Sequence, residues 1–154
     1  IAAKNLHYGL DFCPAFWDWL IENQAAGLVF SVEKVRDEVQ AIADELSDWI
    51  NQREPSFFLP VDPTLVPSLA AVSRWATNDR YEQAAVSTFL QIADYYLVAH
   101  AHAGQHTVVT HEVPSASTRK IKIPDACIGL GINFVTPFQM LRRERARFVL
   151  GPSA

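Results

Sequence analysis

The sequence predicts a single α/β domain whose front two thirds are mostly helical and which carries a short central parallel sheet flanked by helices. Three observations predict it. Apolar positions recur at helical spacing through most of the first hundred residues. In the last third, the brief β-rich runs HTVVT, KIKIP and INFVT alternate with helical pieces, which is the pattern of a parallel rather than a hairpin-built sheet. A chain of 154 residues, 49% of them hydrophobic, is long enough for one real core and short for two.

Pro14 followed by AFWDWLIENQAAG reads as the first clear helix. Proline suits a first helical turn, Phe16, Trp17, Leu20 and Ile21 fall on one face, and Gly27 supplies a stop. LVFS is a short extended piece. Ser31 then looks like an N-cap, and VEKVRDEVQAIADELSDWI repeats apolar residues at Val32, Val35, Val39, Ile42, Leu46 and Trp49 or Ile50, the clearest amphipathic helix of the chain. REPSFFLPVDPTLVP is punctuated by proline and reads as an ordered loop. Helices are expected from about Thr64 to Thr77, from about Asp79 to Ile92, and over ADYYLVAHAHAGQ, ending near Gly104. HTVVT, KIKIP and INFVT read as strands, with DACIGLG as a helical piece between the last two.

No apolar run reaches the roughly 18 to 20 residues a membrane helix needs. The opening IAAKNLHYGLDFCP has neither the basic n-region nor the apolar core of a signal peptide, so no membrane and a cytoplasmic location are expected. Cys13 and Cys127 are too few for a disulfide framework and sit in apolar settings that favour reduced thiols.

The net charge of −4 argues against a general nucleic-acid coat protein. The charge is unevenly spread, however. Residues 1 to 111 hold six basic and fourteen acidic residues, whereas from Glu112 onward seven basic residues face three acidic ones. Arg119, Lys120 and Lys122 form one basic group and Arg142, Arg143, Arg145 and Arg147 another, each able to meet a polyanion or to form a solvated face.

Histidines draw the eye first, since four of them lie between His100 and His111. A zinc site is poorly supported. His102 and His106 have i,i+4 spacing but Gly104 is expected to end the helix between them, and His100 and His102 point in different directions on a helix. No phosphate loop is present, because GLGIN lies between a helix and a strand rather than after a strand and before a helix. A GxSxG elbow is also missing.

The acids are better placed. Glu38 falls in the first two turns of its helix, Asp94 in the first turn of its own, and Glu112 just beyond the carboxyl end of the HTVVT strand. In parallel α/β folds these positions meet at one sheet edge. Carboxylates gathered there would repel one another unless a hard cation such as Mg²⁺ or Mn²⁺ sat among them. Alternatively, Asp94 is only a helix-start charge and Glu38 a solvated residue.

The order SVEKVRDEV, ADYYLVAHA, HTVVTHE, KIKIPDAC and INFVTPFQML resembles the PIN-domain superfamily, specifically a PIN-like branch of poorly characterised bacterial proteins related to toxin ribonucleases of toxin-antitoxin modules. The likeness covers nearly the whole chain, and its specificity lies in the order and spacing of short motifs. It implies a PIN-like fold and a cluster of acids that binds Mg²⁺ or Mn²⁺ for hydrolysis of RNA phosphodiesters. By position, Glu38 matches the family's helix-borne glutamate, Asp94 the aspartate opening the later helix, and Glu112 the acid of a T-x-D pattern, here Thr110-His111-Glu112. Asp125 falls where a weaker, optional acid occurs. Asp37 is set aside because a helix turns it about 100° from Glu38.

One departure stands at the front. The family resembles a chain opening on a β-strand that ends in a metal-binding aspartate, and IAAKN is similar to the segment just after that motif. That strand and aspartate are expected to lie ahead of Ile1, and the chain without them is expected to be inactive or nearly so. The resemblance further implies an RNA substrate, an antitoxin partner and a possible homodimer. Arg119, Lys120 and Lys122 would position RNA phosphates, Tyr95 and Tyr96 would stack bases or simply pack, and the helices bearing Trp17, Trp19, Trp49 and Trp75 would offer apolar surface. The competing expectation is a non-enzymatic PIN-like scaffold whose acidic groove takes a basic side chain of a partner.

Overall fold

A computed structural model describes residues 2–78 and 80–149. It is a mixed α/β fold, mostly helical, with short parallel strands. Among the described residues the helices are α1 (Ala2–Leu6), α2 (Pro14–Ala25), α3 (Glu33–Gln40), α4 (Glu45–Asn51), α5 (Val66–Asn78), α6 (Gln83–Phe89), α7 (Ala93–Gly104), α8 (Ile123–Leu130) and α9 (Pro137–Arg143). The strands are β1 (Ser31–Val32), β2 (Phe58–Leu59), β3 (Val108–Val109) and β4 (Phe134–Val135).

The strands form two separate parallel pairs rather than the one central sheet expected. β1 pairs with β2, with Ser31 opposite Phe58, and β3 pairs with β4, with Val108 opposite Phe134. α7 packs against both β1 and β3 and so spans the two pairs.

Two cores support this arrangement. In the first, α5 and α7 meet through Val72, Ala76, Val98 and Ala99, all fully buried, and α8 adds Ala126 and Cys127. Small side chains at the crossing let helix axes approach closely, and larger neighbours such as Phe89 fill the flanks. The second core joins Phe16 and Trp17 of α2 to Val39, Leu46, Ile50, Phe57 and Phe58. Trp17 is fixed there by an indole N–H that donates to the Tyr8 carbonyl at 2.8 Å, which satisfies its one polar atom.

Several expected boundaries move for identifiable reasons. The long helix after Ser31 is two helices. Ala43 takes a left-handed conformation, φ 53°, and Asp44 starts α4 by accepting from the N–H groups of Leu46 and Ser47. The break takes Ile42 off the apolar face, leaving it half exposed. Ser31 is accordingly in β1, and Val32 rather than Ser31 caps α3. The proline-rich segment contains a strand, β2, which the sequence hides because periodicity is unreadable over two residues.

KIKIP is not a strand among the described residues. Ile121 and Ile123 are buried in the first core, but Pro124 enters the first turn of α8 and ends any extension. The helix expected from about Asp79 shortens to Gln83–Phe89, with Asp79 itself outside the described residues.

Candidate functional site

Two helix starts frame the candidate site. α7 begins after Ile92 and α8 after Lys122, and neither residue provides a side-chain oxygen to cap the exposed backbone N–H groups. Remote acids do so instead. Glu38 on α3 accepts from the Ala93 N–H at 2.6 Å through Oε1. Glu112 accepts from the Ile123 N–H at 2.9 Å through Oε2, and its other oxygen takes the Lys122 ammonium at 2.8 Å. Glu112 is itself held by a short local turn, in which its N–H donates to the buried Thr110 hydroxyl at 3.0 Å.

Between these two carboxylates stands Asp94, in the first turn of α7. Its carboxyl is pushed up to about 6, first by burial, then by the negative charges of Glu112 and Glu38; Lys120 and Lys122 pull in the opposite direction. Among the described residues Asp94 accepts no side-chain or backbone hydrogen bond, so its charge is compensated only at a distance. Glu38, Asp94 and Glu112, expected together from the sequence, therefore share one electrostatic field.

These three carboxyls do not form a closed chelate. Among the described residues no three His, Cys, Asp or Glu side chains stand together closely enough to hold one ion. Glu38 and Glu112 are turned to helix starts, while Asp94 is the acid with unspent charge. All three donors are hard oxygens, the type that Mg²⁺ and Mn²⁺ take, and rotation of either glutamate would trade a helix cap for an ion.

Asp125 lies apart. It is 9% exposed, its Oδ1 accepts from the Ser115 N–H at 3.0 Å, and its Oδ2 is buried without a partner among the described residues. It acts on Lys122 but is not among the charges that raise Asp94.

The expected RNA-binding cations divide similarly. Arg119 is largely exposed, 3.8 Å from Glu82, and Lys120 is exposed and close enough to bear on Asp94. Lys122 is instead spent on Glu112, an interaction that raises the ammonium's pKa. Of the second basic group, Arg142 and Arg143 end α9 whereas Arg145 and Arg147 lie beyond it.

Tyr95 serves the core, with its hydroxyl donating to the Leu69 carbonyl at 2.9 Å. Tyr96 carries Lys34 over its ring at 5.5 Å, and Lys34 stands one helical turn before Glu38. The i,i+4 spacing of Lys34 and Glu38 was the available signal for this rim cation. Trp17, Trp49 and Trp75 are mostly inside, and Trp75 lies against Gly129, so the tryptophans offer less partner surface than expected.

Histidines scatter to separate partners. His102 shares a hydrogen bond with the Ser68 hydroxyl, His106 lies edge-on to Phe30, and His111 stacks on His7 with centroids 4.3 Å apart. Cys13 and Cys127 are free thiols, and burial pushes Cys127 up to about 12. No helix among the described residues is long and apolar enough to cross a membrane.

The chain matches, over residues 1–148, the family described as Domain of unknown function (DUF4411). Comparison with curated proteins and with solved structures found no match.

Proposed function

The chain belongs to the DUF4411 family, a domain of unknown function, and from that premise we propose that it is a PIN-type, metal-dependent endoribonuclease, the toxin of a toxin-antitoxin module acting in the cytoplasm. The observation that carries the reading is the state of Asp94. A carboxyl raised to about 6 by burial and by two neighbouring carboxylates stores unfavourable charge that a divalent cation would relieve. The order of the sequence motifs, similar to that of PIN proteins, supplies the reaction class.

Glu38, Asp94 and Glu112 would hold Mg²⁺ or Mn²⁺, with the aspartate that the resemblance sets ahead of Ile1 completing the set. Such an ion supplies a water of lowered pKa and a counter-charge for the leaving oxygen. Lys120 and Arg119, both exposed beside the acids in sequence, would hold RNA phosphates. Thr110 fixes Glu112, and Glu38 fixes the start of the helix that carries Asp94.

A second reading has its own observation. Lys122 already sits on Glu112 at 2.8 Å, so this acidic edge accepts an ammonium as readily as it would an ion. An antitoxin or other partner inserting a basic side chain would use the same acids without catalysis.

Calorimetric titration of the chain with MgCl₂ and MnCl₂, with Asp94→Asn as control, tests the first reading. Binding that falls about tenfold or more in Asp94→Asn is expected, since Mg²⁺ depends on carboxylate charge. Absence of binding, or binding indifferent to the substitution, sinks the metal site and leaves the scaffold.

A further inference from the structure

Between the two strand pairs runs an apolar groove of about 730 Å³, and its occupant can be argued from the strands that wall it. β1 contributes Ser31 and Val32 and β3 contributes residues Thr107 to Thr110, while Trp17 and Leu97 are among the side chains from the helices. Protein interiors tolerate few voids larger than a water molecule. Left empty, a space this large would forfeit more packing than a domain can spare, and filled with water it would wet an apolar wall.

The walls carry strand-pairing capacity. The N–H groups of Val108 and Thr110 donate to Asn133 and Val135 on the β4 side. In a parallel ladder successive residues bond to opposite sides, so Val109 turns its N–H and C=O away from β4. Among the described residues β3 has no second neighbour, and neither does β1 beyond β2. His100 and His111 also line the groove, and each has a buried Nε2 with no hydrogen-bond partner among the described residues.

Direction is set by α1. His7, immediately after this helix, stacks on His111 just past the carboxyl end of β3, and Ala3 of α1 lies on the groove wall. A strand leading straight into α1 would therefore end at the same edge as β3 and run parallel to it. We infer that the groove is a strand slot, filled by the stretch of this polypeptide that leads into α1, which joins β1–β2 and β3–β4 into one continuous parallel sheet. A strand in that place is covered on both faces, which calls for a near-continuous run of Val and Ile. This inference stands without the nuclease reading, because it concerns backbone pairing and not the acids.

The test fuses about six Val and Ile residues, one strand's length, to the N-terminus of the full chain, with a control carrying two prolines in that run. Amide exchange is read at Val109. Slowing of about tenfold or more in the fused chain, and none in the proline control, is the expected result. No slowing, or equal slowing in both, overturns it. So does a Val109 amide already protected in the unfused chain at concentrations where it is dimeric, which would make a second copy the occupant. Protection by the same peptide added in trans but not when fused would overturn the intramolecular source.

Discussion

The Glu38 carboxylate and the Ala93 backbone N–H are joined at 2.6 Å across 55 positions of sequence, tying α3 to the first turn of α7. The bond does two things at once, capping a helix that has no local cap and setting a negative charge beside Asp94. Two substitutions separate these effects. Glu38→Gln keeps an oxygen that can accept from Ala93 and removes the charge, whereas Glu38→Ala removes both. Glu38→Ala is expected to destabilise the chain by about 1 kcal/mol more than Glu38→Gln in urea unfolding. Both should lower the Asp94 pKa in carboxyl NMR titration; an Asp94 that does not respond would mean that the two acids are electrically independent.

Asp94 gives a pH dependence of opposite sign to that of a salt-bridged acid. Its folded value, about 6, lies above that of an unfolded aspartate, so the folded state binds the proton more tightly. The protonated form adds stability at low pH that is lost as pH rises from about 4 through 6. Asp94→Asn, which removes the charge permanently, is expected to stabilise the chain at pH 7 by up to about 3 kcal/mol and to change little at pH 4. Urea midpoints at the two pH values check this. Equal effects at both would show that burial of the charge is not what Asp94 costs the fold.

How much of this was legible in the sequence depended on the length of the signal. α2 and α7 span three turns, and both their existence and their limits followed from Pro14, Gly27 and Gly104. Two-residue strands have no periodicity to read, so β2 is hidden among prolines, while KIKIP, equally β-rich, has the composition of a strand without being one. The placement of Glu38, Asp94 and Glu112 on three different elements was inferable, and the structure gathers their charges. What the acids hold was not inferable. Ile92 and Lys122 fail as caps, and only the tertiary fold shows that distant glutamates take over.

Lys122 is the internal competitor for Glu112, since its Nζ lies 2.8 Å from the carboxylate with both side chains about three quarters buried. Lys122→Met retains the aliphatic stem and removes the charge. Two shifts are expected. The Asp94 pKa rises further, because a cation that lowers it is gone, and Mn²⁺ binds more tightly, because Glu112 is released. Carboxyl NMR and calorimetry read the two separately. Unchanged Mn²⁺ affinity alongside a raised Asp94 pKa would place Glu112 outside any ion site.

Gly129 is required by a neighbour rather than by its own backbone. A Cβ built at this position of α8 would run into the Trp75 indole of α5, so the helix can lie against that ring only where there is no side chain. Alanine is the better helix former by about 1 kcal/mol. The substitution Gly129→Ala therefore sets propensity against overpacking, and overpacking costs roughly 1–3 kcal/mol. A net loss of up to about 2 kcal/mol is expected, together with a change in Trp75 fluorescence. A gain in stability with unchanged fluorescence would mean that the indole moves aside freely.

Cation binding at Asp94 must displace a proton wherever that proton is present. At pH 5 the carboxyl is mostly protonated, at pH 7 mostly ionised, its midpoint being about 6. Ion affinity should therefore fall by about tenfold for each pH unit below 6 and level off above 7. The sign is fixed by competition, since the metal and the proton both favour the carboxylate and each excludes the other. Measured at pH 5 in two buffers of different ionisation enthalpy, Mn²⁺ binding should release close to one proton; at pH 7.5 it should release almost none. Release of no proton at either pH would take Asp94 out of the ion's coordination, even if binding itself were strong. Release that persisted at pH 7.5 would point to a bound group titrating above Asp94.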